Sequence, residues 1–325
     1  MQRTIENLRI GAYAMRYSLF VPRLYNLCRS LGFERSRMMP SRAFCSDESQ
    51  GYPVMLIAQH FGTFPFDHGR VGGKVAINRH GPYAHHGEDL VIVQATHVGY
   101  DADTGRFGLY RRERTQGCAF GDNCGKLCAV LAWYQQEYRH AREQMLCGAL
   151  DGEPAVILDN QYLDEKRSEG LFLNLDMIID RPGGRSSRPS GAMKKCLPDA
   201  IWQDTPRPIG ERLTADLFWF RRPPAADIEG HDILKEALQP AMPALVTSVN
   251  PALEAARYHT QLEFDRTYRS ILRADCYPNK NLLFISGVNI DISPPKGFPF
   301  PLIKFVPWAA YGSLRGGRGF VWEQD

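Results

Sequence analysis

The chain has 325 residues, 44% hydrophobic and 23% charged, enough for a sizeable core and ordinary for a soluble protein. Its 39 basic and 36 acidic residues leave a net charge of +3, too small an excess to argue for a nucleic-acid or anionic-membrane partner. No apolar run is long enough to span a bilayer, and no secretory signal precedes the eight cysteines, so reduced thiols or metal ligands in a cytoplasmic or organelle-stroma protein are expected rather than disulfides.

Residues 3–32 read as helix, with Leu8, Ala12, Met15, Leu19, Val21, Leu24 and Leu27 as a rough stripe. Pro22 is expected to break that helix or to sit in a first turn, and Gly32 to stop it. Ser41 to Asp47 reads as a strand whose alternation would point Ala43, Cys45 and Asp47 one way. Val54 to His60 reads as a short helix, and Val71 to Ile77 as an apolar loop or strand.

Leu90 to Thr96 is apolar on both faces, which suits a strand covered on both sides in an α/β sheet. His97 ends this run on the face of Val91, Val93 and Ala95, at the strand end where open α/β sheets bind ligands. Asp101 to Gly105 is a turn signal, so Arg106 to Arg111 is expected to pair back antiparallel. Gly117 to Gly121 reads as loop, with Asp122 or Asn123 capping a helix that carries Leu127, Leu131, Tyr134, Tyr138, Ala141 and Met145 at helical spacing.

Further on, Asp159 to Leu175 reads as helix and Arg181 to Lys195 as an exposed Arg/Gly/Ser/Pro loop, with a break at Arg221 to Pro224. Pro251 to Ala274 is a long helix with Leu253, Ala256, Thr260, Phe264 and Ile271 on one side. Asn281 to Ile292 is a strand expected to return to the first sheet, and Leu302 to Val306 a weaker one. That return favours one α/β domain over 1–325: a helical segment 1–40, a core 41–150, a middle 151–250, and a closing helix with strands 251–325.

The chemistry gathers at His97 and Cys124. Cys124 lies in the first turn of its helix, where orphan amides and the dipole favour a thiolate. An imidazole and such a thiol can share one soft metal ion, zinc first, and two thiolates, one imidazole and an open position make a catalytic zinc set. Zinc would bring the pKa of its water towards about 7. Spacing alone does not choose Cys45 over Cys28 as the further ligand, and Cys118 rivals Cys124 from the same loop. Cys28, Cys128, Cys147, Cys196 and Cys276 read as core. Asp47 can equally cap the helix after it, and His85 and His86 read as exposed.

Cys45-x-Asp47, a strand ending in His97, and Asn-Cys124-Gly at a helix start together resemble the limiting-CO2-inducible B protein family, a branch related to β-class carbonic anhydrases. Leu31-Gly-Phe-Glu-Arg35 and Ser286-Gly-Val-Asn-Ile290 extend the resemblance, which covers roughly residues 16–150 and 250–312. It implies a β-carbonic-anhydrase-like mixed sheet flanked by helices, a homodimer, and zinc on Cys45, His97 and Cys124. It also implies reversible hydration of CO2 to bicarbonate, with Asp47 orienting the metal-bound water.

One position departs. The β-class pattern is Cys-x-Asp-x-Arg, and Ser49 stands where that Arg pairs with the Asp and keeps it off the metal. An Arg from elsewhere in the chain, such as Arg70 or Arg79, could do the same job. A zinc-binding but catalytically silent protein acting in a complex is therefore an alternative. So is a metal-free redox protein using Cys118, Cys124 or Cys128.

Overall fold

The computed structural model describes residues 14–70, 74–75, 89–114, 117–143, 146–150, 153–159, 171–173, 192–196, 218–220, 231–274, 277, 280–295 and 302–323. The chain divides into two compact units, Met1–Cys128 with Ala252–Asp325, and Ala129–Pro251.

The first unit runs β1 (Met15–Arg16), α1 (Tyr17–Ser30), β2 (Met38–Ala43), α2 (Gly51–Phe61), β3 (Phe66–Asp67), β4 (Gly69–Arg70), β5 (Lys74–Val75), β6 (Asp89–Asp101), β7 (Arg106–Phe107), β8 (Leu109–Arg114) and β9 (Gly117–Asp122). Helix α3 (Gly125–Glu143) follows, and the unit boundary falls in its first turn. The second unit holds a three-stranded antiparallel sheet of β10 (Leu146–Leu150), β11 (Glu153–Asp159) and β13 (Ala192–Cys196). It also holds a ribbon of β12 (Leu171–Leu173) with β14 (Phe218–Phe220), then α4 (His231–Leu238) and α5 (Met242–Thr247). The chain then closes with α6 (Pro251–Arg273), β15 (Asn281–Ile292), β16 (Leu302–Leu314) and β17 (Arg318–Glu323).

Strand β6 is the axis of the first unit. Every residue of it except Tyr100 is buried, so both of its faces must be covered. It lies between β15 and β2, parallel to both, in a mixed eight-stranded sheet ordered β1-β16-β15-β6-β2-β3, with β17 on β16 and β7 on β6. On one face Val91, Val93, Ala95, Leu283 and Ile285 pack with Tyr17, Phe20 and Leu24 of α1 and Ile57 of α2. On the other, Leu90, Ile92, Leu282 and Phe284 pack with Phe264 and Ile271 of α6. Each fully buried Val, Leu, Ile or Phe side chain among them contributes roughly 1.5–3 kcal/mol. The return of β15 to the first sheet, the bounds of β15 and the span of α6 follow the sequence pattern.

Other expectations are corrected. Residues 3–13 of the expected first helix, with Leu8 and Ala12, lie outside the described residues; beyond them α1 starts at Tyr17 behind the short strand β1, and its stripe is Tyr17, Phe20, Val21, Leu24, Leu27 and Cys28, while Leu19 is exposed. Pro22 neither breaks α1 nor sits in its first turn; the helix runs on through the one lost backbone bond. Gly32 does stop it, at φ +91°, where Gly32 N–H donates to Arg29 O and Phe33 N–H to Cys28 O. The strand expected over Ser41–Asp47 runs earlier, Met38–Ala43, so Cys45 and Asp47 lie beyond it and are not aligned by strand alternation.

Only Arg106 and Phe107 pair back onto β6. Gly108, at φ +86°, turns the chain away, and Leu109–Arg114 pairs instead with Gly117–Asp122, which is strand and not loop. β11 ends at Asp159 and β12 occupies Leu171–Leu173, so the described parts of the helix expected over Asp159–Leu175 are extended; Ala192–Cys196 of the expected loop is strand β13. The rest of that loop, the break at Arg221–Pro224, His85 and His86 lie outside the described residues. β16 extends to Leu314, well past the expected Val306.

Candidate metal centre

Three adjacent parallel strands deliver the site from their carboxyl ends. β2 connects onward to β3 on one side of itself, while the next long strand, β6, lies on its other side. That reversal opens a crevice between β2 and β6, the place where α/β sheets bind ligands. Cys45 follows the end of β2, and His97 lies on β6 three residues past the last β2 partner, Gln94.

Cys124 comes from elsewhere. Gly108 N–H donates to Gly99 O at 2.8 Å, Gly99 N–H to Asn123 O at 2.8 Å, and Asn123 N–H to Gly108 O at 3.0 Å. This three-way backbone clamp ties the base of the β8–β9 hairpin to β6. Gly99 permits it, because a Cβ there would meet Leu109 O at 2.8 Å and the Cβ atoms of Asn123 and Tyr110 at 3.0 Å. Cys128 N–H donates to Cys124 O at 2.9 Å, which makes Cys124 the residue just ahead of α3 rather than one in its first turn. The expected Asn123 cap is not formed: Asn123 is buried with Oδ1 unpartnered among the described residues.

The ligand atoms of Cys45, His97 and Cys124 all lie within 4.8 Å of one another, and all three residues are buried. His97 Nδ1 lies 2.8 Å from Asp291 Oδ2, and Asp291 is itself fully buried. With Nδ1–H donated to that carboxylate, Nε2 is the acceptor nitrogen of the ring. Nε2 is buried without a hydrogen-bond partner of normal geometry. An orphaned imidazole nitrogen beside two soft sulfur donors fits a zinc-type set.

Without a metal ion, the electrostatics hold protons on these groups. Burial disfavours a charged His97, but the bond to Asp291 and contacts with Cys124 and Cys45 outweigh it, so its pKa is raised. Cys45 and burial push the Cys124 thiol up, with His97 pulling the other way. A thiolate at this depth needs a cation beside it.

Asp47 is not part of the donor cluster. Its Oδ1 accepts from Ser49 N–H at 3.2 Å, capping the short 3-10 helix Glu48–Gln50, so the capping reading of Asp47 holds. Its Oδ2 accepts from Arg112 Nη2 at 3.2 Å, and Arg112 Nε also donates to Glu48. The arginine paired with Asp47 is thus Arg112 of β8, which the sequence reading did not single out. Arg70 is placed in β4 and Arg79 lies outside the described residues. Ser49 serves another purpose: it is buried, and its Oγ donates to Asp291 Oδ2 at 2.7 Å.

Asp291 and Arg112 are the residues that sequence reasoning missed. Asp291 left a signal, being the one carboxylate in a strand of mostly buried residues, a placement that demands a partner. Among the described residues no other cysteine joins this donor group. Cys28 is core, Cys118 lies in β9 opposite Glu113, and Cys147 lies in β10 opposite Val156. Cys128 Sγ faces Gly108 O at 3.7 Å, and Cys276 lies outside the described residues.

The fold is that of solved limiting-CO2-inducible protein structures, and in this chain a buried Cys-His-Cys group lies past the strand ends of the mixed α/β sheet. The chain is similar to the crystal structure of PtLCIB4, a homolog of the limiting CO2-inducible protein LCIB, with TM-score 0.54 and 12% identity over 100% of this chain and 99% of that one. It is similar to LCIB itself, with TM-score 0.51 and 13% identity over 99% and 96% of the two chains. A point mutant of PtLCIB4 gives TM-score 0.55 at 12% identity over 98% and 96%. No protein-family model and no curated protein sequence matches the chain. No helix among the described residues is long and apolar enough to cross a membrane.

Proposed function

We propose that this protein is a zinc-dependent carbonic anhydrase related to the limiting-CO2-inducible proteins, interconverting CO2 and water with bicarbonate and a proton. The observation that carries the reading is the buried group of Cys45, His97 and Cys124 with Asp47 tied to Arg112 rather than joined to it. Cys45 Sγ, His97 Nε2 and Cys124 Sγ would hold the metal, which would supply the Lewis acidity that makes water nucleophilic near neutral pH.

The chain's own residues do the rest. Asp291 fixes the His97 ring by taking its Nδ1–H. Asp47 accepts a hydrogen bond from the attacking water and aims its lone pair at the carbon of CO2. Arg112 holds Asp47 at the rim, doing the work that an arginine at position 49 does in the β-class pattern. The protein is expected to act as a homodimer.

Ser49 motivated the catalytically silent alternative, and the Asp47–Arg112 pair is the observation against it. Stopped-flow CO2 hydration on zinc-loaded protein tests the proposal. A background rate with one zinc per chain confirmed would overturn it.

A further inference from the structure

The contact between Asp291 and His97 is one end of a longer buried chain of hydrogen bonds. Gln50 Nε2 donates to Asp291 Oδ1 and Oδ2, both at 2.9 Å. Asn289 Nδ2 donates to Gln50 Oε1 at 2.7 Å, and Tyr17 Oη donates to Asn289 Oδ1 at 2.7 Å. Tyr17, Gln50, Asn289, Asp291 and His97 are each at most 1% exposed, so no bulk water competes for these bonds.

The chain has a fixed direction. Asp291 accepts from His97, Ser49 and Gln50, so it faces the amino end of the Gln50 amide and not its oxygen. Gln50 Oε1 then needs a donor, which fixes the Asn289 amide; Asn289 Oδ1 needs one in turn, and Tyr17 supplies it. Burial pushes the Tyr17 pKa well above its ordinary value, so the hydroxyl keeps the proton it donates. Its ring is held edge-on against Phe20 and Phe44, with centroids 5.6 and 6.1 Å away, and so has one orientation. Asn289 is also the direct register partner of His97 across β15 and β6.

We infer that Tyr17, Asn289 and Gln50 are positioning residues for the metal centre: their one-way chain of donors holds Asp291 as the acceptor of His97 Nδ1–H and so keeps Nε2 as the donor to the metal. The inference rests on the reading of His97 as a ligand. It makes α1 and the 3-10 helix Glu48–Gln50, which supply no ligand, part of the site. Partners of this kind are worth on the order of 10–100-fold in metal affinity.

Two variants test it. Asn289→Asp keeps the shape but removes the amide donor, so Gln50 must turn its amide over and set Oε1 against Asp291. Tyr17→Phe keeps the ring and leaves Asn289 Oδ1 without its donor. Zinc affinity is read by competition with a chromophoric chelator, and the His97 Nδ1–H proton by NMR in metal-free and zinc-loaded protein. The expected result is a slowly exchanging Nδ1–H in the wild type that exchanges faster in Asn289→Asp, with zinc bound about tenfold or more weakly. Tyr17→Phe shifts both in the same direction by less. Unchanged proton exchange and unchanged zinc affinity in both variants would overturn the inference.

Should Asn289→Asp fail to fold, Tyr17→Phe alone decides, because it removes one oxygen from a ring that stays packed. Neither readout uses CO2. A protein that is inactive towards CO2 but shows these shifts refutes the proposed activity and keeps the positioning chain. If the wild type binds no zinc, the ligand reading falls and the metal-free proton signal still decides whether the chain orients His97.

Discussion

Arg112 Nη2 reaches Asp47 Oδ2 at 3.2 Å across 65 residues of sequence, from a hairpin strand to the loop behind β2. The Arg112 side chain is 18% exposed and that of Asp47 14%, so the pair is partly shielded from the screening that makes surface ion pairs weak. Arg112→Ala is expected to release Asp47 to swing onto the metal. CO2 hydration should fall by roughly 10–100-fold with folding intact. Cobalt-substituted protein separates the outcomes: a changed visible spectrum marks carboxylate ligation, and an unchanged spectrum with full activity would remove Arg112 from the site.

The metal centre itself is tested by its ligands. Cys45→Ala and Cys124→Ala should each reduce zinc from one per chain to near zero by elemental analysis. Chelation of the wild type should lower its melting temperature, since zinc bound at a thousandfold excess over Kd stabilises the native state by about 4 kcal/mol. Full zinc content in Cys45→Ala would point to a different donor.

Gly99 is predicted to control Cys124 from a distance. A Cβ at position 99 has no room against Leu109 O and the side chains of Tyr110 and Asn123. Gly99→Ala should cost roughly 1–3 kcal/mol in thermal or denaturant unfolding. It should also weaken zinc binding, because the backbone clamp that seats Cys124 must shift. Unchanged zinc affinity in a destabilised Gly99→Ala would mean that the clamp is only structural.

Thiol reactivity separates the metal reading from the redox one. Burial first, then the charge of Asp122, pushes the Cys128 thiol up to about 12. At pH 8, four units below, roughly one molecule in ten thousand carries the reactive thiolate. Iodoacetamide followed by peptide mass spectrometry should find Cys128 alkylated on the order of a thousandfold more slowly than a free thiol, speeding up as pH rises. Rapid labelling at pH 8 would revive the redox alternative.

The sequence by itself determined the elements whose signal is local. α6 and β15 have bounds set by long, regular apolar patterns, and β6 reads as buried on both faces because both of its faces are apolar. Gly32 stops α1 because a positive φ at that place suits glycine best. Cys45, His97 and Cys124 were legible through their order in the chain together with a family resemblance, not through spacing.

Tertiary structure alone decided the rest, for a physical reason. Whether residues 109–114 pair with β6 or with β9 depends on Gly108 turning the chain away, and both pairings suit the same residues. The partners of the site are joined across large separations: 194 residues between His97 and Asp291, and 272 between Tyr17 and Asn289. A buried polar side chain announces that it needs a partner but not which one. Only the packing of α1, α2 and the hairpin onto β6 and β15 chose Asp291 for His97 and Arg112 for Asp47.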